Sequence, residues 1–324
     1  MALIPVLLWV QASDVSAADA LYNRGLYEQA AVQYRQLLKR LPDDPALLLR
    51  IGFCEYSLGQ YGPAEGTFRR ILKLAPGLPQ AQVGLASTLI PLGRSKEAIP
   101  LLEDALKKMP GDVQARRTLG RAYSEEGLFI PAEDMLRGLV NQDPKDAESW
   151  FDLGVLLVNQ NYSQPALEAL DRSLALYPDN AVALTYRAGA LTQLGRLEEA
   201  EAQFARLSEK PGIRESSEYF LGYAQLLFTK GAYPEALEKI ENAIRRDSNS
   251  AKIRYWKARI LFYMKQEDAA LVEAEKCVAL APGMPGGHNL LLHLYRRKGM
   301  EEKAAAEAQW LKNHEDRVAM GRGR

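Results

Sequence analysis

The histidines of this chain are its first candidates for metal ligands. They are His288, His293 and His314. His288 and His293 are five residues apart, whereas two metal ligands on one face of a helix need a spacing of three or four. The spacing therefore indicates no helical metal site, and we expect the protein to bind no metal.

The cysteines are the second candidates for chemistry. Cys54 and Cys277 are separated by 223 residues, and two cysteines are too few for a disulfide framework. We expect both to be buried free thiols. The charges balance, with 41 Lys plus Arg against 41 Asp plus Glu. This balance gives no support to nucleic acid or an anionic membrane as the bulk partner, since both favour a positive surplus.

Paired carboxylates could serve general acid–base catalysis. The pairs Glu198–Glu199 and Glu301–Glu302 each stand where a helix is predicted to begin, and the helix dipole favours negative charge there. Nothing marks a Ser–His–Asp or Cys–His constellation, and the glycines form no phosphate-binding loop. We therefore expect a protein that is not an enzyme and that uses no cofactor.

The helices that would position these side chains are predicted from a sequence repeat. A seven-residue pattern, in which a turn is followed by an alanine, returns nine times, as in "LGRLEEA" at 194–200. Successive alanines are 34 residues apart, except for one interval of 36 residues. The pattern alanines are Ala30, Ala64, Ala98, Ala132, Ala166, Ala200, Ala236, Ala270 and Ala304. A period in this range is the signature of a solenoid.

Each repeat unit is predicted to form two helices. Each pattern alanine is counted as position 20 of a 34-residue unit, so the first unit begins at residue 11. Apolar residues then recur at unit positions 7, 8 and 11 and again at positions 20, 24 and 27, spacings that place them on one helix face. The third unit shows both sets, with Leu85, Ala86 and Leu89 followed by Ala98, Leu102 and Ala105. Glycine at position 15 would end the first helix in the left-handed conformation, and proline at position 32 would end the second.

These units resemble the tetratricopeptide repeat family. The fifth unit carries the residues that the family favours at six positions: Trp150, Leu153, Gly154, Ala166, Leu170 and Pro178. The resemblance implies an all-α, superhelical α-solenoid of stacked helix–turn–helix units. We expect nine units in one continuous domain over residues 11–318, with an irregular junction at 209–218 and a frayed tail at 319–324. The junction is either a local irregularity of the stack or a tolerated loop insertion.

The resemblance also implies where a partner binds. In the family, positions 2, 5, 9 and 12 of the first helices line the concave face of the superhelix, and we call the residues at these positions the concave line. The predicted binding residues are Leu49, Phe53, Tyr56, Arg117, Arg121, Phe151, Val155, Val158, Leu221, Gln225, Phe228, Lys252, Tyr255, Arg259 and Phe262. Aromatic and arginine side chains give much of the binding energy at protein interfaces. We expect a scaffold that binds a peptide or partner protein there.

Two further interpretations remain open at this stage. Residues 1–17 combine the apolar run "MALIPVLLWV" with a small-x-small cleavage site at Val15–Ala17, which is typical of a secretory leader. The same run also fits the apolar start of the first helix in a cytoplasmic protein, and it is too short to span a membrane. If the chain is exported, it could instead tether an envelope or secretion assembly through its convex face or its C-terminal end, where Trp310 lies. The sequence specifies neither the oligomeric state nor the partner.

Overall fold

The computed structural model describes residues 4–210 and 212–321, with side chains for 14–210, 212–214 and 216–314. Across these ranges the chain is all-α, with eighteen α-helices, one short 3-10 helix and no strand. The helices form nine consecutive pairs. Odd-numbered helices are the first of each pair and even-numbered helices the second, so the predicted solenoid of two-helix units is confirmed.

The chain divides into two compact units, and the first spans Met1–Leu156. Its helices are α1 (Ile4–Asn23), α2 (Tyr27–Leu38), α3 (Pro45–Ser57), α4 (Tyr61–Leu74), α5 (Pro79–Leu89), α6 (Ser95–Lys108), α7 (Val113–Glu125) and α8 (Phe129–Gln142), followed by the larger part of α9 (Ala147–Asn159). Each helix packs on the next one along the chain from α1 to α8.

The second compact unit spans Leu157–Arg324 and begins with the end of α9. Its helices are α10 (Ser163–Leu176), α11 (Ala181–Gln193), α12 (Leu197–Leu207), α13 (Ser217–Thr229), α14 (Tyr233–Arg246), α15 (Ala251–Tyr263), α16 (Glu267–Leu280), α17 (Pro285–Arg297) and α18 (Glu301–Gly321), with the 3-10 helix at Ile213–Glu215. The pairs α13–α14, α15–α16 and α17–α18 stack in sequence.

The turns inside the helix pairs confirm the predicted role of position 15. The glycine there has a positive φ between 68° and 80° in seven pairs. In the fifth and eighth pairs the same conformation is adopted by Asn161, with φ of 61°, and by Lys265, with φ of 63°. Asparagine tolerates this region well, whereas a lysine is strained there.

Small residues allow the helices to approach closely. All nine pattern alanines are buried, at 2% exposure or less. In the first compact unit the Phe68 ring lies between Gly52 and Gly84, and a Cβ added at Gly84 would stand 2.3 Å from Phe68 Cε1. Only glycine leaves room for that ring, which is why glycine stands on both sides of it.

The predicted irregular junction changes how the helices pack. Gly212, with φ of 75°, precedes the 3-10 helix that separates α12 from α13. Toward the preceding pair, α13 packs more on α11 than on α12, whereas α15 and α17 pack mainly on the second helix just before them. The Phe204 ring of α12 stacks on Tyr223 of α13, with centroids 5.1 Å apart. The two extra residues thus lie where α13 packs differently on the preceding pair.

Both cysteines are buried free thiols, as predicted. Burial raises the pKa of each thiol to about 11, so neither is reactive at neutral pH. The predicted leader at 1–17 falls partly outside the described residues, as does the tail at 319–324. Where residues are described, α1 runs unbroken through the predicted cleavage site to Asn23.

Candidate functional site

The concave line of the first compact unit begins with three apolar residues of α3. Leu49, Phe53 and Tyr56 are half-buried and pack against the core. The Phe53 ring meets Phe68 edge-on with centroids 5.3 Å apart, and the Tyr56 ring lies 5.8 Å from Tyr61. Part of each side chain is thus used inside the fold, and the remainder faces solvent.

Two arginines of α7 follow on the same line, and both are paired within the chain. Arg121 Nε donates to Oδ1 and Oδ2 of Asp152, each at 2.8 Å. Arg117 forms ion pairs with Asp146 at 3.5 Å and with Glu148 at 2.6 Å, and its Nε lies 3.9 Å from Asp152. Two guanidinium groups therefore face three carboxylates, so this stretch offers no positive surplus to a partner.

Asp152 holds this network together from within the fold. Its side chain is only 4% exposed. Burial raises the pKa of its carboxyl to about 6, although the charges of Arg121 and Arg117 act to lower this pKa. A buried carboxylate needs such partners, because an unpaired one is strongly disfavoured. The two arginines are best understood as the counter-ions of Asp152.

The other predicted residues near the middle of the chain contribute little surface. Phe151 and Val155 of α9 are half-buried. Val158 and Leu221 are each 8% exposed and belong to the packed core. We therefore leave Val158 and Leu221 out of the surface that is proposed below.

In the second compact unit, α15 presents an arginine framed by aromatic rings. The guanidinium carbon of Arg259 lies 4.4 Å from the ring centre of Trp256, 5.0 Å from that of Phe228 and 5.6 Å from that of Tyr255. Three of these four residues, all but Trp256, were predicted for the concave line. A cation held against aromatic rings at a site that water reaches gains about 0.5–1 kcal/mol. The rings therefore hold the guanidinium in place without neutralising its charge.

More aromatic rings extend this frame toward solvent. Tyr263 is 48% exposed, and its ring centre lies 4.9 Å from Phe228 and 5.6 Å from Tyr233. Phe262, also predicted, lies 5.9 Å from Tyr263. We call the following residues the arginine–aromatic cluster: Phe228, Tyr233, Tyr255, Trp256, Arg259, Phe262 and Tyr263.

Arg259 differs from the other three cations of α15 in having neither an ion pair nor a hydrogen bond among the described side chains. Arg254 Nη1 lies 2.9 Å from Glu273, and Lys257 Nζ lies 3.2 Å from Glu241. Lys252 Nζ donates to Asn159 at 3.0 Å. By contrast, none of the described carboxylates lies within 4.0 Å of the Arg259 guanidinium. Its N–H groups remain available for an acceptor from outside the chain.

The remaining predicted residue, Gln225, lies half-buried on α13. The structure brings four of the predicted residues, Phe228, Tyr255, Arg259 and Phe262, close to Trp256 and Tyr263, which the prediction did not name. A signal for both was present, since positions 256, 259 and 263 follow the i, i+3, i+7 spacing of one helix face. Asp152 was missed because its burial depends on packing that the repeat register does not specify.

His288 and His314 take part in the packing of the last two helices. His288 is 5% exposed, and its Nδ1 lies 2.6 Å from Glu307 and its Nε2 2.9 Å from the Pro282 carbonyl oxygen. Trp310 stacks on His288 with ring centres 3.5 Å apart and on His314 at 5.1 Å. Among the described side chains, no three His, Cys, Asp or Glu residues are grouped as metal ligands. No helix in the described ranges is both long and apolar enough to cross a membrane.

Comparison with protein families gives matches along most of the chain. Models described as tetratricopeptide repeat match residues 89–153 and residues 15–79, 158–212 and 214–285. Among curated proteins, anaphase-promoting complex subunit 3 of Schizosaccharomyces pombe is 22% identical over 203 residues, which is 52% of this chain and 30% of the relative. The chain thus spans less than a third of the length of that relative.

Solved structures share the fold. A tetratricopeptide repeat protein from Parabacteroides merdae superposes with a TM-score of 0.56 and 18% identity, covering 80% of this chain and 97% of the other. The human IFIT1 dimer with m7Gppp-AAAA superposes with a TM-score of 0.59 and 17% identity, covering 83% and 68% respectively. At these identities the similarity concerns the fold alone.

Proposed function

Because the chain belongs to the tetratricopeptide repeat family, whose members mediate protein–protein interaction, we propose that it is a non-enzymatic scaffold that binds a segment of a partner protein at the arginine–aromatic cluster. The family is typically non-catalytic, and stacked repeats provide a stiff, extended surface. A stiff surface loses little conformational entropy when a partner segment docks.

One observation carries this proposal. Arg259 is held by three rings and lacks an ionic partner among the described residues, while Tyr263 beside it is half exposed. Tyr, Trp and Arg are the side chains that most often dominate binding energy at protein interfaces. In the first compact unit, by contrast, the arginines of the concave line are already paired with carboxylates.

The test is a crosslinked pull-down from cells that naturally produce the protein, with the wild-type chain and the double variant Tyr255→Ala/Phe262→Ala in parallel. The matched control is Val272→Ala/Leu280→Ala, which removes two exposed apolar side chains from α16, the second helix of the same pair. We expect a partner that is captured by the wild type and by the control but is lost from the Tyr255→Ala/Phe262→Ala variant.

Folding must be separated from binding in this test. Tyr255 and Phe262 also pack against a buried cluster, so their replacement could destabilise the chain. Arg259→Gln, which changes a side chain outside the buried clusters, serves as a second variant, and the circular dichroism of all variants is compared. If folded variants at all three positions keep every partner of the wild type, the proposed surface is wrong.

The alternative, an exported tethering subunit, would use the convex face or the C-terminal end, and Trp310 is the residue that suggested the C-terminal end. That side chain is engaged within the chain, between His288 and His314, so Trp310 gives an interface at the C-terminal end no support. RNA is not favoured as a ligand either. The m7Gppp-AAAA bound to human IFIT1 is a ligand of that protein, and the balanced charge of this chain does not favour a similar one.

A further inference from the structure

The first helices of the second compact unit carry a local charge imbalance that the net charge of the chain conceals. α15 (Ala251–Tyr263) and α17 (Pro285–Arg297) contain no Asp or Glu. The neighbouring first helix α13 contains only Glu218, which accepts hydrogen bonds from Ser216 and Ser217. The surface formed by these helices is therefore positive, and its carboxylate counter-ions come from second helices.

Those counter-ions reach some of the cations but not all. On α15, Arg254 and Lys257 are paired with carboxylates of α16 and α14, and on α17 Arg297 is paired with Glu267 at 2.7 Å. Arg259 and Arg296, at unit positions 9 and 12, have no carboxylate within 4.0 Å among the described side chains. Both belong to the concave line, on first helices that contact each other.

Apolar surface accompanies these two charges. The Tyr255 ring lies against the first turn of α17, where a Cβ on Gly286 would stand 3.2 Å from the ring, so the ring fills the space that this glycine leaves. Phe262 lies beneath the Arg297 guanidinium at 5.3 Å. A ligand that fits this surface needs negative groups for the two arginines and apolar groups for the rings.

We propose that the segment bound at this surface is acidic, a stretch of a partner protein whose Asp or Glu side chains pair with Arg259 and Arg296 while its apolar side chains contact Tyr255, Phe262 and Tyr263. This proposal rests on the proposed function and names the chemistry of the partner. Arginine pairs with carboxylates through two parallel hydrogen bonds. Because the rings already hold Arg259, little side-chain entropy is lost when it binds.

Charge number favours a protein partner over RNA. Two unpaired cations match a few carboxylates on a peptide, whereas a nucleic-acid backbone carries a charge at every nucleotide and rewards a long run of cations. The paired arginines of the first compact unit do not extend such a run. Binding should therefore depend on Arg259 and Arg296 and not on Arg117 or Arg121.

The experiment measures fluorescence anisotropy of the full chain with two mixtures of twelve-residue peptides. Both mixtures share the same apolar positions; one carries Asp or Glu at the other positions, and the matched mixture carries Asn or Gln. A twelve-nucleotide oligoadenylate is the third probe. The variant is Arg259→Gln/Arg296→Gln. The control Arg206→Gln/Lys312→Gln removes the same charge from exposed positions on the second helices α12 and α18.

We expect the acidic mixture to bind the wild type and the control alike, and the amide mixture to bind much more weakly. The Arg259→Gln/Arg296→Gln variant should bind the acidic mixture at least about tenfold more weakly, since charged partners at interfaces are commonly worth this much or more. Binding should also weaken as salt is raised, because the pairs are partly exposed.

Four results would overturn the proposal. If the amide mixture binds the wild type as tightly as the acidic mixture does, the partner segment need not be acidic. The proposed surface would still stand if that binding is lost in Tyr255→Ala/Phe262→Ala. Arginine-dependent binding of the oligoadenylate alone would assign the surface to RNA. Unchanged binding by the double arginine variant would also reject an acidic segment, as would no binding of either peptide mixture. The scaffold function is tested separately by the pull-down.

Discussion

The guanidinium carbon of Arg259 lies 4.4 Å from the centre of the Trp256 ring. Arg121 of the first compact unit is bonded instead to both carboxylate oxygens of Asp152. Both arginines occupy unit position 9 on a first helix, yet one is neutralised and the other is not. The same repeat position therefore serves the stability of one unit and is available for binding in the other.

This contrast predicts opposite effects on stability. Arg121→Gln leaves Asp152 buried with only the more distant Arg117 nearby, so we expect it to lower the free energy of unfolding by about 2 kcal/mol. Arg259→Gln breaks no ion pair, and we expect a change within about 1 kcal/mol from the lost ring contacts. Urea unfolding of both variants measures this. A larger loss for Arg259→Gln would show that its role is structural.

Asp152 should make stability depend on pH in an unusual direction. Burial raises the pKa of its carboxyl from 3.8 to about 6 in the folded state, so between these values the folded state binds a proton that the unfolded state does not. As pH falls from about 7 to 4, the wild type should therefore gain stability relative to Asp152→Asn. Unfolding free energies at several pH values test this, and a relative loss over the same range would mean that the arginines lower this pKa instead.

The glycines around Phe68 should be irreplaceable. An alanine at Gly84 would place its Cβ 2.3 Å from the buried ring, so we expect Gly84→Ala to destabilise the chain by about 1–3 kcal/mol. Gly66 lies on α4, the helix that carries Phe68, and has open space around it. Gly66→Ala should stabilise that helix by roughly 0.5–1 kcal/mol. Thermal unfolding of the two variants should shift in opposite directions, and equal shifts would contradict the packing described.

Lys265 offers a stabilising substitution. It adopts φ of 63° where seven other pairs have glycine, and an L-residue in this region costs about 1 kcal/mol. Lys265→Gly should therefore raise the free energy of unfolding by roughly 0.5–1 kcal/mol, despite the greater freedom of glycine in the unfolded chain. Gly231→Ala, at the equivalent turn of the preceding pair, should lower it by a similar amount. If Lys265→Gly is destabilising, the turn is not strained.

Much of the fold was predictable because each repeat unit is specified by residues close together in the sequence. The 34-residue period, the small residue at position 20 and the turn at position 15 each have a sequence signature, and all reappear in the structure. Charge pairing was not predictable, because it depends on which side chains of adjacent units meet. Arg121 and Arg259 look alike in the register, and only the buried Asp152 beside one of them distinguishes their roles.

The packing of the helices at the junction also could not be predicted from the sequence. Two extra residues between α12 and α13 were visible, but the packing of α13 on α11 and the stacking of Phe204 on Tyr223 are tertiary contacts. Residue spacing alone does not specify the geometry of that contact.

Site-specific photocrosslinking tests the central claim most directly. A photoreactive phenylalanine is placed at Phe262 in the arginine–aromatic cluster or at Val272, an exposed position on α16 of the same helix pair. Both proteins are then irradiated in cells that naturally produce the chain. We expect a discrete crosslinked partner from position 262 that is absent from position 272 and is lost when Arg259→Gln is added. Equal crosslinking from both positions, or crosslinking that is unaffected by Arg259→Gln, would contradict the assignment of this surface.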